Sequence, residues 1–291
     1  MRTAAVIWVD TDIALGGPRG DVDDGFALAA VFAAAKRGTV NVAGVSSVFG
    51  NTTASESARL AEELAELAGA ATRVFRGSER PGESSEAARR IAQLPEGCEL
   101  LALGPLTNVA AACRADPGLC SRVVLRAVGG NLSSRGFLPP LWPFEFNLWR
   151  DRDAARDVLG RGWRRLHLYP LDVVRRLWAD AARLDELSAG SALAASLAAG
   201  SRRWLARRRS RRSRRFPLWD LPAALDAVGI LVAAARAERH LAPGAARLLR
   251  RSRAIPCVTS FDPEESWRRF VSILSEDGFA PGSLPGENGA F

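Results

Sequence analysis

The stretch Ala4-Ala5-Val6-Ile7-Trp8-Val9-Asp10-Thr11-Asp12-Ile13, followed by Asp21-Val22-Asp23-Asp24, decides how this chain is read. An apolar run ends in acids, and Phe26-Ala27-Leu28-Ala29-Ala30-Val31-Phe32 follows with helical character. The order is strand, loop, helix, with five carboxylates within fifteen residues at the carboxyl end of the strand. In open α/β sheets that edge is where ligands bind. Like charges packed this closely repel unless a cation neutralises them, and oxygen-only ligands suit Ca²⁺ or Mg²⁺.

Working outward, apolar runs and helical patterns alternate. Val42 to Val48, Thr72 to Phe75, Glu99 to Leu103, Val123 to Val128 and Arg165 to Tyr169 read as strands. Ser55 to Leu67, Glu83 to Ile91, a segment opening at Thr107-Asn108, and Asp151 to Leu159 read as helices. Ser133 to Trp149, rich in Pro, Phe and Trp, reads as a loop. Helical character returns from Asp180 to about Arg215 and from Leu221 to Ala235. A late strand near Ile255 to Val258 precedes a helix over Pro263 to Leu274. This alternation predicts an α/β fold with a mainly parallel, doubly wound sheet in one domain over residues 1–276. Residues 277–291, which hold several Gly and Pro, read as a loose tail.

Composition narrows the class. The chain has 291 residues, 47% of them hydrophobic, enough for a sizeable core. No apolar run is long enough for a membrane span, and the start carries no signal-peptide pattern, so a cytoplasmic enzyme is expected. Cys98, Cys113, Cys120 and Cys257 form no CxxC pair and read as buried free thiols. The net charge is +8, its basic residues are almost all arginine, since Lys36 is the single lysine, and the balance favours anionic partners.

Chemistry-bearing side chains collect at the strand ends: Asp10, Asp12, Asp23, Asp24, Asn51, Thr107, Asn108 and Asp172. Glu145-Phe146-Asn147 and Trp219-Asp220 lie in loops or at helix starts. A lone Asn or Thr in such a place is usually a cap or turn residue. One cap needs one carboxylate, however, not five. A phosphatase of the haloacid-dehalogenase type also opens with Asp-x-Asp after its first strand. It needs a downstream lysine beside the nucleophilic aspartate, and Lys36 lies in the first helix, which argues against it.

Five motifs in order, spanning about residues 4 to 275, carry a resemblance. They are Asp10-Thr11-Asp12 with Asp21-Val22-Asp23-Asp24, Ser47-Val48-Phe49-Gly50-Asn51, Leu103-Gly104-Pro105-Leu106-Thr107-Asn108, Glu145-Phe146-Asn147 with Asp151, Ala154 and Ala155 behind it, and Trp219-Asp220. Together they resemble the inosine–uridine-type nucleoside hydrolases, which are Ca²⁺-dependent N-ribohydrolases. The resemblance implies Ca²⁺ held by Asp12, Asp24, Asp220 and the backbone carbonyl of Leu103. It implies Asp12 as the base that takes a proton from water, with Asp220 and Asn147 completing the catalytic set. Asp23, Asn51, Glu145, Asn147 and Asp220 would hydrogen-bond the ribose, while Asp10 and Asp21 would support the loop. The implied substrate is a small nucleoside or nucleotide, and dimers or tetramers are common in the family. A non-catalytic ribose- or nucleotide-binding homologue that keeps the metal site is the alternative.

Three departures from the family pattern stand out. Residues 14–20 lengthen the loop between Asp12 and Asp21 and could carry Arg19 towards the substrate. Trp219 occupies the position of a histidine that often helps protonate the leaving base; it can stack on a base but cannot usefully donate a proton. The segment from Gly77 to Leu100, where the family has a flexible loop, is short. The arginine run from Arg202 to Arg215 reads first as a solvated basic face, and second as a bidentate site for a substrate phosphate. Nucleic-acid binding by the run is disfavoured, because only Trp204 and Phe216 interleave it.

Overall fold

The computed structural model describes residues 4–16, 20–133, 145–207, 215–241 and 254–275. Its centre is an eight-stranded sheet in the order β3-β2-β1-β4-β5-β6-β10-β9. β1 (Ala5–Thr11) pairs in parallel with β2 (Val40–Ser47) on one side and β4 (Glu99–Ala102) on the other. β3 (Val74–Phe75) flanks β2, and β5 (Val124–Val128), β6 (Arg165–Tyr169) and β10 (Ile255–Ser260) continue from β4, all in parallel. The chain winds outward from β1 to β3 and then restarts on the far side of β1 at β4. The carboxyl ends of β1 and β4 therefore flank the topological switch point, where a doubly wound sheet opens a crevice. The predicted fold class is the observed one.

α1 (Asp23–Lys36) is apolar on nearly every face, and Phe26 to Phe32 are all buried. A helix of that kind must be covered all round. It packs against β2 and against α2 (Ala54–Ala68), α10 (Ala192–Arg207), α11 (Leu221–Ala227) and α12 (Pro263–Leu274). α2 starts where the Thr53 hydroxyl accepts the Glu56 N–H at 3.2 Å, and it ends at Gly69 with φ +63°. On the other sheet face, α3 (Glu86–Ala92), α4 (Thr107–Ala115) and α7 (Arg152–Gly160) enclose a second core with Leu100, Leu125 and Leu168. All four cysteines are buried as free thiols, and the Cys113 and Cys120 sulfurs lie 3.6 Å apart. Among the described residues no helix is long and apolar enough to cross a membrane.

Several short elements differ from the sequence reading. The helix expected over Leu221 to Ala235 stops at Ala227, where Gly229 takes φ +81°. It gives way to β9 (Ala235–Arg239), an antiparallel edge strand on β10. The helical stretch expected from Asp180 is two helices, α9 (Ala181–Ser188) and α10, bracketed by a two-stranded ribbon of β7 (Trp178–Asp180) and β8 (Arg215–Pro217). α5 (Leu119–Arg122) and α8 (Leu171–Val174) are single turns. The described end of the expected loop, Phe146–Arg150, is a short helix, α6, because the Glu145 carboxylate caps it. The expected tail lies outside the described residues.

Candidate active site

β1 delivers Asp10 and Thr11 at its last two positions, and Asp12 follows directly. Asp10 is fully buried as a foundation. Its Oδ1 accepts the Ser46 hydroxyl at 2.5 Å and the Asn108 amide at 2.8 Å. Asn108 in turn donates to the Ser47 carbonyl at 2.8 Å and accepts from Ser78 and Ser85. Every polar atom of Asn108 is thus committed to holding β1, β2 and the 78–85 segment together. Thr107 is similarly structural, donating at 2.6 Å to Asp151, whose other oxygen caps α7.

The remaining acids face one another. Asp12 Oδ2 accepts the backbone N–H of Asn51 at 2.7 Å, and the Asn51 side-chain amide reaches Asp24 at 3.4 Å. Asp24 also accepts the Thr11 hydroxyl at 2.6 Å. Asp23 and Asp24 occupy the first turn of α1, where the helix dipole favours negative charge. Asp220 sits at the N-cap of α11, yet its side chain makes no capping bond. Its carboxylate instead meets those of Asp23 and Asp24, with one oxygen from each all within 4.8 Å of one another. All of these acids are buried. Two glycines let the backbone close on Asp12. A Cβ on Gly50 would fall 1.9 Å from Asp12 Oδ2, and one on Gly104 would fall 3.1 Å from Oδ1.

Electrostatics show how strained this arrangement is without a counter-charge. Burial and the neighbouring Asp24 hold the Asp12 carboxyl well above the usual carboxylate range. Burial with Asp21 and Asp24 does the same to Asp23, and burial with Asp23 and Asp24 does it to Asp220. Burial pushes Asp24 up to about 6, offset in part by the Thr11 hydroxyl. Asp10 rises to about 7 through burial, against the bonds from Ser46 and Asn108. No cationic side chain is among the main influences on any of these groups. Carboxylates buried together lose hydration and gain mutual repulsion, so each resists ionising.

Glu145 and Asn147 close the crevice from the β5 side. The Glu145 carboxylate accepts the Asn147 N–H at 2.6 Å and the Leu148 N–H at 2.8 Å, and burial lifts its pKa to about 7. It is thus a helix cap, with acceptor capacity left on both oxygens. The Asn147 amide donates to the Leu103 carbonyl at 2.6 Å, which joins the end of β4 to α6. Asp172, also noted from the sequence, supports a loop by accepting the Leu132 and Ser133 N–H groups at 2.8–3.0 Å. Trp219 is partly buried against the core beside Asp220. Thr11, Ser46, Gly50 and Gly104 went unassigned in the sequence reading. Each sits within two residues of an assigned acid or asparagine, or directly abuts one in the fold, and only that contact gives it a role.

The described ends of the segment between Asp12 and Asp21, at Gly16 and Gly20, are tied to α10. The Gly16 N–H bonds the Asp21 carbonyl at 2.7 Å, the Trp204 indole N–H donates to the Gly20 carbonyl at 3.0 Å, and the Arg207 guanidinium donates to the Gly16 carbonyl. Gly16 is needed there, since it takes φ +74° and a Cβ would meet Trp204 at 2.9 Å. Arg202 pairs with Asp185 at 2.5 Å. Two arginines of the run are therefore bonded within the chain. Arg19 and residues 208–214 lie outside the described set.

The profile of the inosine-uridine preferring nucleoside hydrolase family matches residues 7–248. The chain belongs to this family. This nucleoside hydrolase homologue is also 28% identical over 176 residues to a probable uridine nucleosidase 1 of Oryza sativa subsp. japonica. That match spans 48% of this chain and 53% of the rice protein. Its fold is shared with a plant nucleoside hydrolase, the PpNRh1 enzyme, at a TM-score of 0.76 and 20% identity, covering 94% of this chain and 99% of that one. It is shared too with an inosine-uridine preferring nucleoside hydrolase from Bacillus anthracis, at a TM-score of 0.70 and 13% identity over 93% and 99% of the two chains.

Proposed function

We propose that this nucleoside hydrolase family member cleaves the N-glycosidic bond of a ribonucleoside or related N-riboside, giving ribose and the free base. The observation that carries the reading is the set of buried, mutually repelling carboxylates at the switch point, three of which converge within 4.8 Å. Among the described residues these carboxylates cap no helix and make no ion pair that would explain their burial. An oxygen-only donor set of this charge fits a hard divalent cation, and Ca²⁺ is the ion the family resemblance implies. The resemblance assigns it to Asp12, Asp24, Asp220 and the Leu103 carbonyl, whereas the three carboxylates that converge are those of Asp23, Asp24 and Asp220, so Asp23 would join the ligand set and Asp12 would reach the ion from beside it. When bound, the ion neutralises the acids and lowers the pKa of a water.

The chain's own residues then have distinct tasks. Asp12, oriented by the Asn51 N–H, takes the proton from the attacking water. Asp23, Asn51, Glu145, Asn147 and Asp220 orient the ribose through its hydroxyls. Bond cleavage develops positive charge on the sugar ring, and the surrounding carboxylates and the Asn147 amide oxygen stabilise it. Trp219 offers its indole face to the departing base. The substrate in this reading is unphosphorylated, with the arginine run as a solvated basic face; Arg202 and Arg207, two of its nine arginines, are bonded within the chain.

The deciding experiment incubates a panel of nucleosides and their monophosphates side by side, with Ca²⁺ or chelator, and reads free base by mass spectrometry. Base release that needs Ca²⁺ and disappears in Asp12→Ala supports the reading. Ribose or nucleoside binding with no base release across the panel refutes it. That outcome would establish the ribose-binding homologue, the reading favoured by Trp219 at the usual histidine position. Monophosphates outcompeting nucleosides would reverse the substrate preference.

A further inference from the structure

A second feature lies on the face of the β7–β8 ribbon away from the core. Ala179 and Phe216 pair across the ribbon and are buried. The pairs on either side, Trp178 with Pro217 and Asp180 with Arg215, turn outward by strand alternation. There the structure forms an open groove of about 570 Å³ walled by Arg175, Arg176, Arg215 and Trp178, with Phe261 at its apolar side. That volume falls in the range of small-molecule sites. Elsewhere arginines of this chain meet carboxylates, as in Arg122 with Asp116 at 2.6 Å and Arg183 with Glu264 at 2.6 Å. Arg175 and Arg176 form no ion pair among the described residues, and both are exposed.

Asp172, which lines the groove, is already held by the Leu132 and Ser133 N–H groups, and Asp180, beside Arg215 on the ribbon, caps α9 by accepting the Arg183 N–H at 3.0 Å. Trp178 is stacked by guanidinium groups, Arg183 at 4.4 Å and Arg215 at 5.0 Å from its ring centroid. Its ring therefore fixes the Arg215 head group at the groove wall instead of leaving it to sweep solvent. Arg175 and Arg176 bring two guanidiniums with no ion pair among the described residues to one concavity, and an oxyanion with several acceptor oxygens would satisfy them through fork-shaped hydrogen bonds. We propose that this groove binds the phosphate groups of a small di- or triphosphate-bearing molecule, at a site built from residues that take no part in the acidic crevice.

The test is calorimetric titration of the full chain with tripolyphosphate, with orthophosphate and a nucleoside triphosphate as parallel arms. Tripolyphosphate should bind the wild type, and an Arg175→Ala/Arg176→Ala variant should bind it about tenfold or more weakly. An Arg175→Gln/Arg176→Gln variant, which keeps the aliphatic stems, should lose as much. Unchanged thermal unfolding would confirm that both variants fold. An Arg202→Ala/Arg203→Ala variant, which removes the same charge from α10, should bind as the wild type does. Equal loss in that control would overturn the proposal by showing attraction to the basic surface at large, as would undiminished binding in the groove variants or no binding by the wild type. Tighter binding of the nucleoside triphosphate than of tripolyphosphate identifies a nucleotide as the source of the phosphates; equal binding identifies the free polyphosphate.

Discussion

Two charged regions of this molecule, one buried and one half-buried, solve opposite problems. In the crevice, Asp12, Asp23, Asp24 and Asp220 are buried together with no cationic partner among their main influences. Beneath the sheet, Arg126 donates to Glu99 at 2.8 Å, to the Tyr169 hydroxyl at 2.8 Å and to Asp226 at 2.6 Å, while Arg236 also grips Asp226 at 2.5 Å. Burial opposes ionisation of Asp226, but Arg126 and the bonds from Arg236 and Tyr169 prevail and hold its carboxyl below the usual range. Both regions are anchored in α11, which starts at Asp220 and carries Asp226. The same helix therefore presents one acid that is neutralised for stability and one that is left without a counter-charge. A buried charge with its partners maintains the fold; a buried charge without them marks a place where something else must bind.

The contrast can be broken from either side. The largest expected effect is on activity: Asp12→Asn should lower base release by roughly 10³-fold or more, the scale of a lost general base. In chelator the same change should raise the unfolding temperature, because it removes one repelling charge. An unchanged or lower value would mean that Asp12 is not under repulsion. Next, Arg126→Met should destabilise the protein by about 2–3 kcal/mol in urea unfolding, below the cost of breaking a fully buried pair, since it strands the half-buried Glu99 carboxylate and leaves Asp226 only Arg236 and Tyr169. A cost below about 1 kcal/mol would show the network to be ornamental.

Third, pH should act on the two regions with opposite sign. The crevice acids have raised native pKa values, so their stability is intact in acid and is lost as pH rises through about 6 for Asp24 and about 7 for Asp10. Asp226 has a lowered native pKa, so its stability is present above the unfolded value and is lost as pH falls below the usual carboxylate range. Thermal unfolding in chelator should therefore weaken from pH 5 to pH 8. Ca²⁺ at 100 times its Kd should restore about 2.7 kcal/mol, with a smaller gain at pH 5, where the acids hold protons. A Ca²⁺ effect that is the same at both pH values would count against the crevice as its site. The smallest effect belongs to Thr11→Val, which removes the 2.6 Å bond to Asp24. It should weaken Ca²⁺ binding by about tenfold, measured by calorimetry, with the fold unaffected.

The sequence showed the crevice more fully than the network, for physical reasons. Asp10, Asp12, Asp23 and Asp24 are close in the chain and follow an apolar strand, so local order alone placed them at a sheet edge. Asp220 read as catalytic only through the family resemblance, and the structure adds the reason: an N-cap aspartate that does not cap its helix. Glu145 went the other way, since its carboxylate does cap α6 and so has a structural task beside any ribose contact. Arg126, Asp226 and Arg236 lie 100 and 10 residues apart along the chain, and nothing in their spacing announced that they meet. The ribbon of β7 and β8 was hidden for a similar reason: each strand is three residues long, too short for alternation to register, and the pair is joined only across 34 intervening residues. β9, mostly exposed, carries no apolar signal at all.

The anchoring of the long loop to α10 has a practical consequence for anyone reshaping this protein. Loop and helix make one exchangeable unit. Removing residues 15–20 would take from the buried Trp204 indole N–H its acceptor at Gly20, a defect of about 1–3 kcal/mol, and would release Arg207 from Gly16. A successful graft in either direction must carry the tryptophan and the arginine along with the loop, although they stand nearly two hundred positions further down the chain.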